Sequence, residues 1–332
     1  MAQKKIRIED VAQAAGVSVT TVSRVINKVS TVQDANRRKV EEVILRLKFK
    51  PDVTAQRLAS GKNRTIALVI PRYEGIFHSF YAMELIRGIG SMCEGLKLDL
   101  LFHITDSRAD LNVTAVGGII FSDLIGNEKQ LTQAQEEHIP SIVVNHVVEK
   151  RDVNYIAADN VAGAKAAIDH LINSGHRRIA TITGDLITQC ARQRLEGYKQ
   201  ALARKNIPFR QDYVINGDFS RRSARQATEK LLDLSEPPSA IFAASDDMAL
   251  EAIALLLERN LKIPEDVSVI GFDDNPAAIY GPVALTTIKQ PIFHMAQEAV
   301  KDLNRIIHGK KKVSVRKTLP TELIIRDSCS HI

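Results

Sequence analysis

Little in this chain suggests a covalent staple, a membrane or a metal. Its three cysteines, Cys93, Cys190 and Cys329, lie far apart with no CxxC pair, so neither a disulfide framework nor a zinc site is indicated. The nine histidines fall at no metal-binding spacing. No apolar run approaches a membrane span, and the chain starts basic rather than with a signal-type apolar stretch, so a reducing cytoplasm is the expected address. Gly-rich phosphate loops, a metalloprotease helix and a nucleophile elbow are also missing, which leaves enzymatic chemistry poorly supported. What remains is a chain of 332 residues, 45% hydrophobic and 25% charged, an ordinary soluble composition with room for two or more domains.

The most informative stretch runs from Ile8 to Asn27, IEDVAQAAGVSVTTVSRVIN. Ile8, Val11, Ala12 and Ala15 fall at i, i+3, i+4 and i+7, which predicts a two-turn helix with one apolar stripe. Gly16 follows, and glycine accepts a left-handed conformation cheaply just past a helix end. Val17 can plug the corner, and Ser18 can accept a bond from the free N–H groups that open the next helix. In that helix Val22, Val25 and Ile26 make the buried stripe, leaving Val19, Thr20, Thr21, Ser23, Arg24 and Asn27 outward. Such a face suits a major groove: hydroxyls and amides reach phosphates, valine packs on thymine, and arginine can bond guanine bidentately. By periodicity alone, a plain two-helix hairpin with a polar face fits equally well.

Charge favours the first of these readings. Residues 1 to 62 hold thirteen Lys+Arg against six Asp+Glu, a balance of +7, whereas the whole chain is +6. The other 270 residues therefore sum to about −1. All the net basicity sits in one small segment, the footprint of a nucleic-acid contact. A third helix from about Asp34 to Leu47 closes a small core through Val40, Val43, Ile44 and Leu47, with Arg37, Arg38 and Lys39 crowding its first turns. Those cations oppose the helix dipole and make most sense beside phosphates, a solvated charged face being the alternative. The following segment, DVTAQRLAS at 52 to 60, is too short to be a stable helix alone.

From Thr65 the pattern becomes strand and helix in alternation, beginning with TIALVI (65 to 70) and running to VSVIGF (267 to 272). This predicts doubly wound parallel sheets, two of them over about 270 residues, with a ligand between them at the carboxyl ends of the strands. Between the strand ending at Ile104 and the one starting near Gly117 lie only twelve residues, barely enough for a parallel crossover, so any helix there has one or two turns. Carboxylates cluster after strands, as Asp246 with Asp247 and Asp273 with Asp274. An acid/base pair is one reading; acidic residues there more often cap a helix or bond a ligand's hydroxyls.

VAQAAGVSVTTVSRVIN closely resembles the helix-turn-helix of the LacI/GalR family of bacterial transcription regulators, and KPDVTAQRLASGK resembles that family's hinge helix. TIALVIP, AADNVAGAKAAIDHLINSGHRRIATITG, ARQRLEGYKQAL, AIFAASDDMALEAIALLLERNLKIPEDVSVIGFDD and ALTTIKQP follow its core in order and spacing. The resemblance implies a three-helix DNA-binding domain (1–50), a hinge (51–62) and a periplasmic-binding-protein-like core of two doubly wound parallel-sheet subdomains (63–332). The first subdomain would take about 63–159 and 289–317, and the second about 160–288 and 318–330. It further implies a homodimer on a pseudo-palindromic operator, with half-sites about one helical turn apart. By position Val19, Thr20 and Arg24 would read bases, Ser18, Thr21, Ser23 and Asn27 would hold phosphates, and Leu58, beside Ala55, would wedge into the minor groove. In the core, Arg194 and Asp273 would be polar effector ligands and Phe219 an aromatic wall, with Asp246, Ser245, Asn145 and Tyr73 around them and Phe77 and Phe80 as weaker candidates. Such a set suits a sugar or nucleoside. Arg194 could instead pair Glu196 or an acid across the cleft.

The chain departs from the family pattern at the short crossover, which bears on the effector lip and the dimer surface. Asp52, Gln33 and Ser245 also replace the usual asparagine, serine and asparagine. No leucine heptads follow LIIRDSCSHI, so a dimer rather than a tetramer is expected. The expectation is a cytoplasmic, ligand-responsive repressor, nucleoid-associated when bound, without cofactor, metal or membrane partner. The rivals are a regulator of the same build governed by a protein co-regulator, a sugar-binding protein of transport, which would need a signal peptide and no helix-turn-helix, and a carbohydrate-processing enzyme.

Overall fold

The computed structural model describes residues 6–26, 29, 31–47, 49, 64–72, 76–106, 108, 110–112, 116–149, 152–309 and 314–332. The chain divides into two compact units, Met1–Asn63 and Arg64–Ile332.

In the first unit the apolar stripes become three helices, α1 (Ile8–Ala15), α2 (Val19–Ile26) and α3 (Asp34–Leu47). Gly16 closes α1 at φ 63, its N–H bonded to the Ala12 and Gln13 carbonyls, the left-handed cap that only glycine adopts cheaply. Ser18 Oγ accepts the Thr21 N–H at 3.2 Å, starting α2 two residues after the turn. Val11, Ala12, Val22, Val25, Val40, Val43 and Phe49 bury together as the core. Phe49, two residues past α3, belongs to this packing.

The second unit holds two six-stranded sheets. The first is parallel throughout and ordered β2-β1-β3-β4-β5-β11, where β1 is Thr65–Pro71, β2 Asp99–Thr105, β3 Gly118–Phe121, β4 Ser141–Val144, β5 Asn154–Ala158 and β11 Arg316–Leu319. Ile66, Leu68 and Ile70 of β1 face α4 (Phe80–Leu96) and the long helix Ile292–His308. Ala67 and Val69 face the opposite layer with Ile119, Phe121 and Val143. Alternation of that kind, apolar on both faces, is why these strands read as continuous hydrophobic runs. The second sheet is ordered β7-β6-β8-β9-β10-β12, with β6 Ile179–Thr183, β7 Val214–Asn216, β8 Ala240–Ala243, β9 Ser268–Asp273 and β10 Thr286–Lys289 parallel, and β12 Glu322–Ile324 antiparallel at the edge.

The short crossover between β2 and β3 has no helix among its described residues. Leu111 and Val116 bury instead on the sheet face beside Ala67 and Ile119. Gln133, on the helix Glu128–Glu136, bonds both the N–H (2.8 Å) and the carbonyl (3.0 Å) of Leu111. One side-chain amide thereby satisfies backbone groups that a helix would otherwise pair internally. A cavity of about 160 Å³, lined in part by Leu101, His103 and Leu111, marks the thinner cover.

Among the described α-helices and strands, the sequence reading does not include the helices Glu128–Glu136 and Ile292–His308 or the strands β5, β10, β11 and β12. Ile292, Met295, Ala296, Ala299, Val300 and Leu303 bury along one helix face at helical spacing, so that helix was legible. The edge strands β11, RKTL, and β12, three residues long, were not, because partly exposed edges carry too little hydrophobic signal.

Candidate functional site

The outward face of α2 carries Val19, 41% exposed, with Thr20 and Arg24 exposed and Thr21 and Ser23 half-buried. Ser18 Oγ and Thr21 Oγ1 share a 2.9 Å hydrogen bond, so two of the expected phosphate-binding hydroxyls also shape the start of the helix. Arg37 donates through Nη2 to the Val29 carbonyl at 2.9 Å, tying the first turn of α3 to the loop after α2. Arg38 and Lys39 stay exposed. Asn27, Ala55, Leu58 and Tyr73 lie outside the described residues.

The second candidate region forms at the carboxyl ends of the strands in the Arg64–Ile332 unit. Helix Gln189–Arg204 starts after β6 with Thr188 as its cap and buries Arg194, which is 4% exposed. Arg194 Nε donates to Asn160 Oδ1 (3.0 Å) and Nη1 to the Ala244 carbonyl (2.5 Å), while the guanidinium stacks 3.8 Å from the Phe272 ring centroid. Asp273 Oδ1 stands 3.9 Å from Nη1. Glu196 is not the partner of Arg194: it accepts from Gln200 instead. Asp273 is further held by Gln290, whose Nε2 donates to Oδ1 at 2.5 Å.

Asp246 opens helix Asp246–Glu258 and is fully buried. It accepts from Thr287 Oγ1 (2.5 Å) and from the Asn275 N–H (2.7 Å), so it braces the turn after β9 from behind. Burial, aided by the negative charge of Asp273, pushes its carboxyl up to about 8. Burial also raises Asp273, to about 6, against the pull of Arg194. Ser245 is the helix cap, its Oγ accepting the Met248 N–H at 3.4 Å. Asp274 turns away into an ion pair with Arg326 at 2.5 Å.

Phe219 (φ 69), Asn145 (φ 64) and Asp273 (φ 134) all hold left-handed backbone, a cost that persists where the surroundings impose it and that gathers at ligand sites. The Phe219 ring lies so close over Gly184 that a Cβ there would meet it at 2.0 Å. Phe77 is 60% exposed and pairs with Phe102 at a ring separation of 6.2 Å. Phe80 packs against the first sheet's core.

Several residues here escaped the sequence reading. Asp123, two residues past β3, bonds His146 Nδ1 at 3.0 Å. Gln189, of the second sheet's layer, bonds both the N–H (2.7 Å) and the carbonyl (3.0 Å) of Val147, which follows β4 of the first. That amide joins the two subdomains directly. Asn160, Gln290 and Thr287 hold Arg194, Asp273 and Asp246 in place. The available signal was positional: Asp123, His146 and Gln290 are each among the first polar residues past a buried strand, where sites gather in this architecture.

Residues 7–52 match the model described as bacterial regulatory proteins, lacI family, and residues 168–329 match a periplasmic binding protein-like domain. The HTH-type transcriptional regulator DegA of Bacillus subtilis (strain 168) is 35% identical, covering 99% of both chains. The chain belongs to the LacI family. It is accordingly a DNA-binding transcription regulator with an effector-binding core, and not an enzyme. Among solved structures, the lac repressor dimer bound to operator and the anti-inducer ONPF is similar at TM-score 0.84 and 28% identity, over 98% of this chain and 100% of that one. The transcriptional regulator CelR–cellobiose complex is similar at TM-score 0.73 and 29% identity, over 97% and 99%. This family architecture places the predicted fold class, a helix-turn-helix domain before two parallel-sheet subdomains, on firm ground.

Proposed function

We propose that the protein is a cytoplasmic repressor that binds a pseudo-palindromic operator as a homodimer and is switched by a small molecule of sugar or nucleoside type. Residues 1–50 would form the DNA reader, 51–62 the hinge, and 63–332 the core. Val19, Thr20 and Arg24 read base edges, Ser18, Thr21, Ser23 and Asn27 hold the backbone, and Leu58 beside Ala55 enters the minor groove. In the core Arg194 and Asp273 take ligand hydroxyls and Phe219 covers an apolar ring face, with Asn145 and Tyr73 at the edge and Asp246 and Ser245 as support.

The observation that carries this reading is the Arg194–Asp273 pair. Both groups sit at the strand ends, held from behind by Asn160, Ala244 and Gln290, yet Nη1 and Oδ1 stop 3.9 Å apart. Arginine–carboxylate pairs frequently close to a bidentate contact, and this one does not. Held apart, the two can each reach a third, polar molecule. The lac repressor with ONPF and the CelR complex with cellobiose support a saccharide-like occupant. A thermal-shift screen of sugars and nucleosides tests this, since a ligand that binds the folded chain stabilises it by mass action. A stabilising compound should also change operator affinity, and one that stabilises without doing so would overturn the switch. A ligand acts on DNA binding only through its different affinity for the two states.

A further inference from the structure

The chain passes between the two core subdomains at three places: from β5 into helix Asn160–Asn173, from β10 into helix Ile292–His308, and from β11 into β12. β5 and β11 are neighbours at one edge of the first sheet, and β10 and β12 at one edge of the second, so the covalent joints gather along one side. Passages grouped along a single line leave one soft motion, a hinge rotation of one subdomain about that line. β9, β8 and β6 follow β10 across the second sheet, and at the usual strand spacing β6 lies about 14 Å from β10. Helix Gln189–Arg204 begins just past β6, so a bond made at its start acts with leverage on that rotation.

Gln189 makes such a bond, and makes it twice. Its Oε1 accepts the Val147 N–H at 2.7 Å and its Nε2 donates to the Val147 carbonyl at 3.0 Å. Each end of this contact is fixed by its own subdomain. On the first side the Asn145 N–H bonds the Ile156 carbonyl at 2.8 Å, His146 Nδ1 pairs with Asp123 at 3.0 Å, and Arg316 Nη2 donates to the Val148 carbonyl at 2.6 Å. On the second, Thr188 Oγ1 accepts the Ala191 N–H at 3.2 Å, and Arg192 Nη1 donates to the Leu186 and Ile187 carbonyls at 2.7 and 2.6 Å. With both backbones already held, the two hydrogen bonds act on the subdomains rather than on loose loops. The Gln189 amide thus bridges the two walls as a bound polar molecule could, yet it belongs to the chain and is always present.

We propose that Gln189 is a latch that keeps the two subdomains joined with no ligand present, and thereby sets the resting affinity of the chain for its DNA site. One hydrogen bond biases such an equilibrium by about fivefold, so losing both shifts it toward the opened core by at least about tenfold. Gln189→Met keeps the length of the side chain and removes both polar groups, while Gln189→Asn keeps the amide and draws it back by one carbon. The test is a pulsed spin-resonance distance measurement on the full chain, dialysed free of small molecules and diluted with unlabelled chain. The labels sit at Glu136→Cys and Lys230→Cys, exposed positions of the first and second subdomain. Cys329→Ser is included throughout, since Cys93 and Cys190 are buried and Cys329 only partly so. With Gln189 in place one narrow distance population is expected, and a second population should appear in each variant. A broad distribution with Gln189 in place, or an unchanged narrow one in both variants, overturns the latch. Affinity for a duplex selected from a random pool, measured without ligand, should differ from the parent by at least about fivefold in both variants. Equal affinity beside a changed distance distribution overturns the link to DNA binding. The parent measurement decides the resting state even if a variant fails to fold. No effector enters either measurement, so the outcome is independent of what the core binds.

Discussion

At the scale of single residues, the two ends of the molecule use arginine in opposite ways. Arg24 is exposed on α2, ready to meet a partner outside the chain. Arg194 is buried and oriented by three neighbours, so its reach is fixed in advance. Replacing Arg24 with Ala is expected to cost on the order of 1–3 kcal/mol and to relax preference at a single operator position. Selection of binding sites from a random pool by both proteins measures this, and an equal loss on every sequence would mean that Arg24 contacts only the backbone. The outward placement of Val19, Thr20 and Arg24 is legible from period alone, because a helix face exposed by its own apolar stripe needs no tertiary information. The brace on Asp246 was not legible, since it depends on Thr287 and on the Asn275 N–H, about thirty to forty positions away in sequence.

At the scale of elements, α2 is short and owes its position to packing: Val22 and Val25 sink into a core shared with α1 and α3, and Arg37 ties α3 to the following loop. Isolated helices of eight residues are marginal in water, so the reader depends on that three-helix core. The proposed hinge, residues 51–62, by its sequence lacks an apolar face large enough for any such support. Leu58→Ala should therefore weaken operator binding far more than binding to unrelated duplex, as the loss of a minor-groove wedge requires. Fluorescence anisotropy against operator and random DNA at one salt concentration checks it, and parallel losses on both would remove the wedge. The helix Ile292–His308 and strands β5 and β10 were readable in principle from their apolar periodicity. β11 and β12 were not, because their pairing comes from chain segments that return from far away.

At the scale of the whole chain, each core sheet is completed by a late strand, β11 for the first and β12 for the second, and the Gln189–Val147 bonds join the two subdomains. A ligand binding there would set the relation of one subdomain to the other. The buried carboxylates give this core a pH signature. The folded state holds the Asp246 proton up to about 8 against an ordinary 3.8, and Asp273 shifts in the same direction, to about 6. Because the folded state binds protons more tightly, the stability linked to them is present at low pH and is lost as pH rises through that window. His176, buried between Ser239 and Ser268, is lowered by burial below its ordinary 6.5 and acts in the opposite sense on the acid side. The comparison that isolates the carboxylates is therefore between proteins. Asp246→Asn should gain stability relative to the parent between about pH 5 and about pH 8, by on the order of 1–3 kcal/mol. Calorimetric melting at the two pH values measures it, and a constant offset would show that Asp246 does not titrate in this range.

The sequence alone determined that the chain has a basic, helical DNA-reading end and a parallel α/β remainder, because charge partition and hydrophobic period are local properties. The family resemblance singled out Arg194, Asp273 and Phe219, and the structure brings Arg194 and Asp273 to 3.9 Å of each other. Only the tertiary structure decided which polar groups support others and which are left unpaired. Asp246 and Ser245 went to bracing and capping, Gln290 and Gln189 emerged as clamps, and Asn145 kept a free acceptor. Hydrogen bonding is a matter of distance and direction between residues remote in sequence, so that division could be drawn only once the chain had folded.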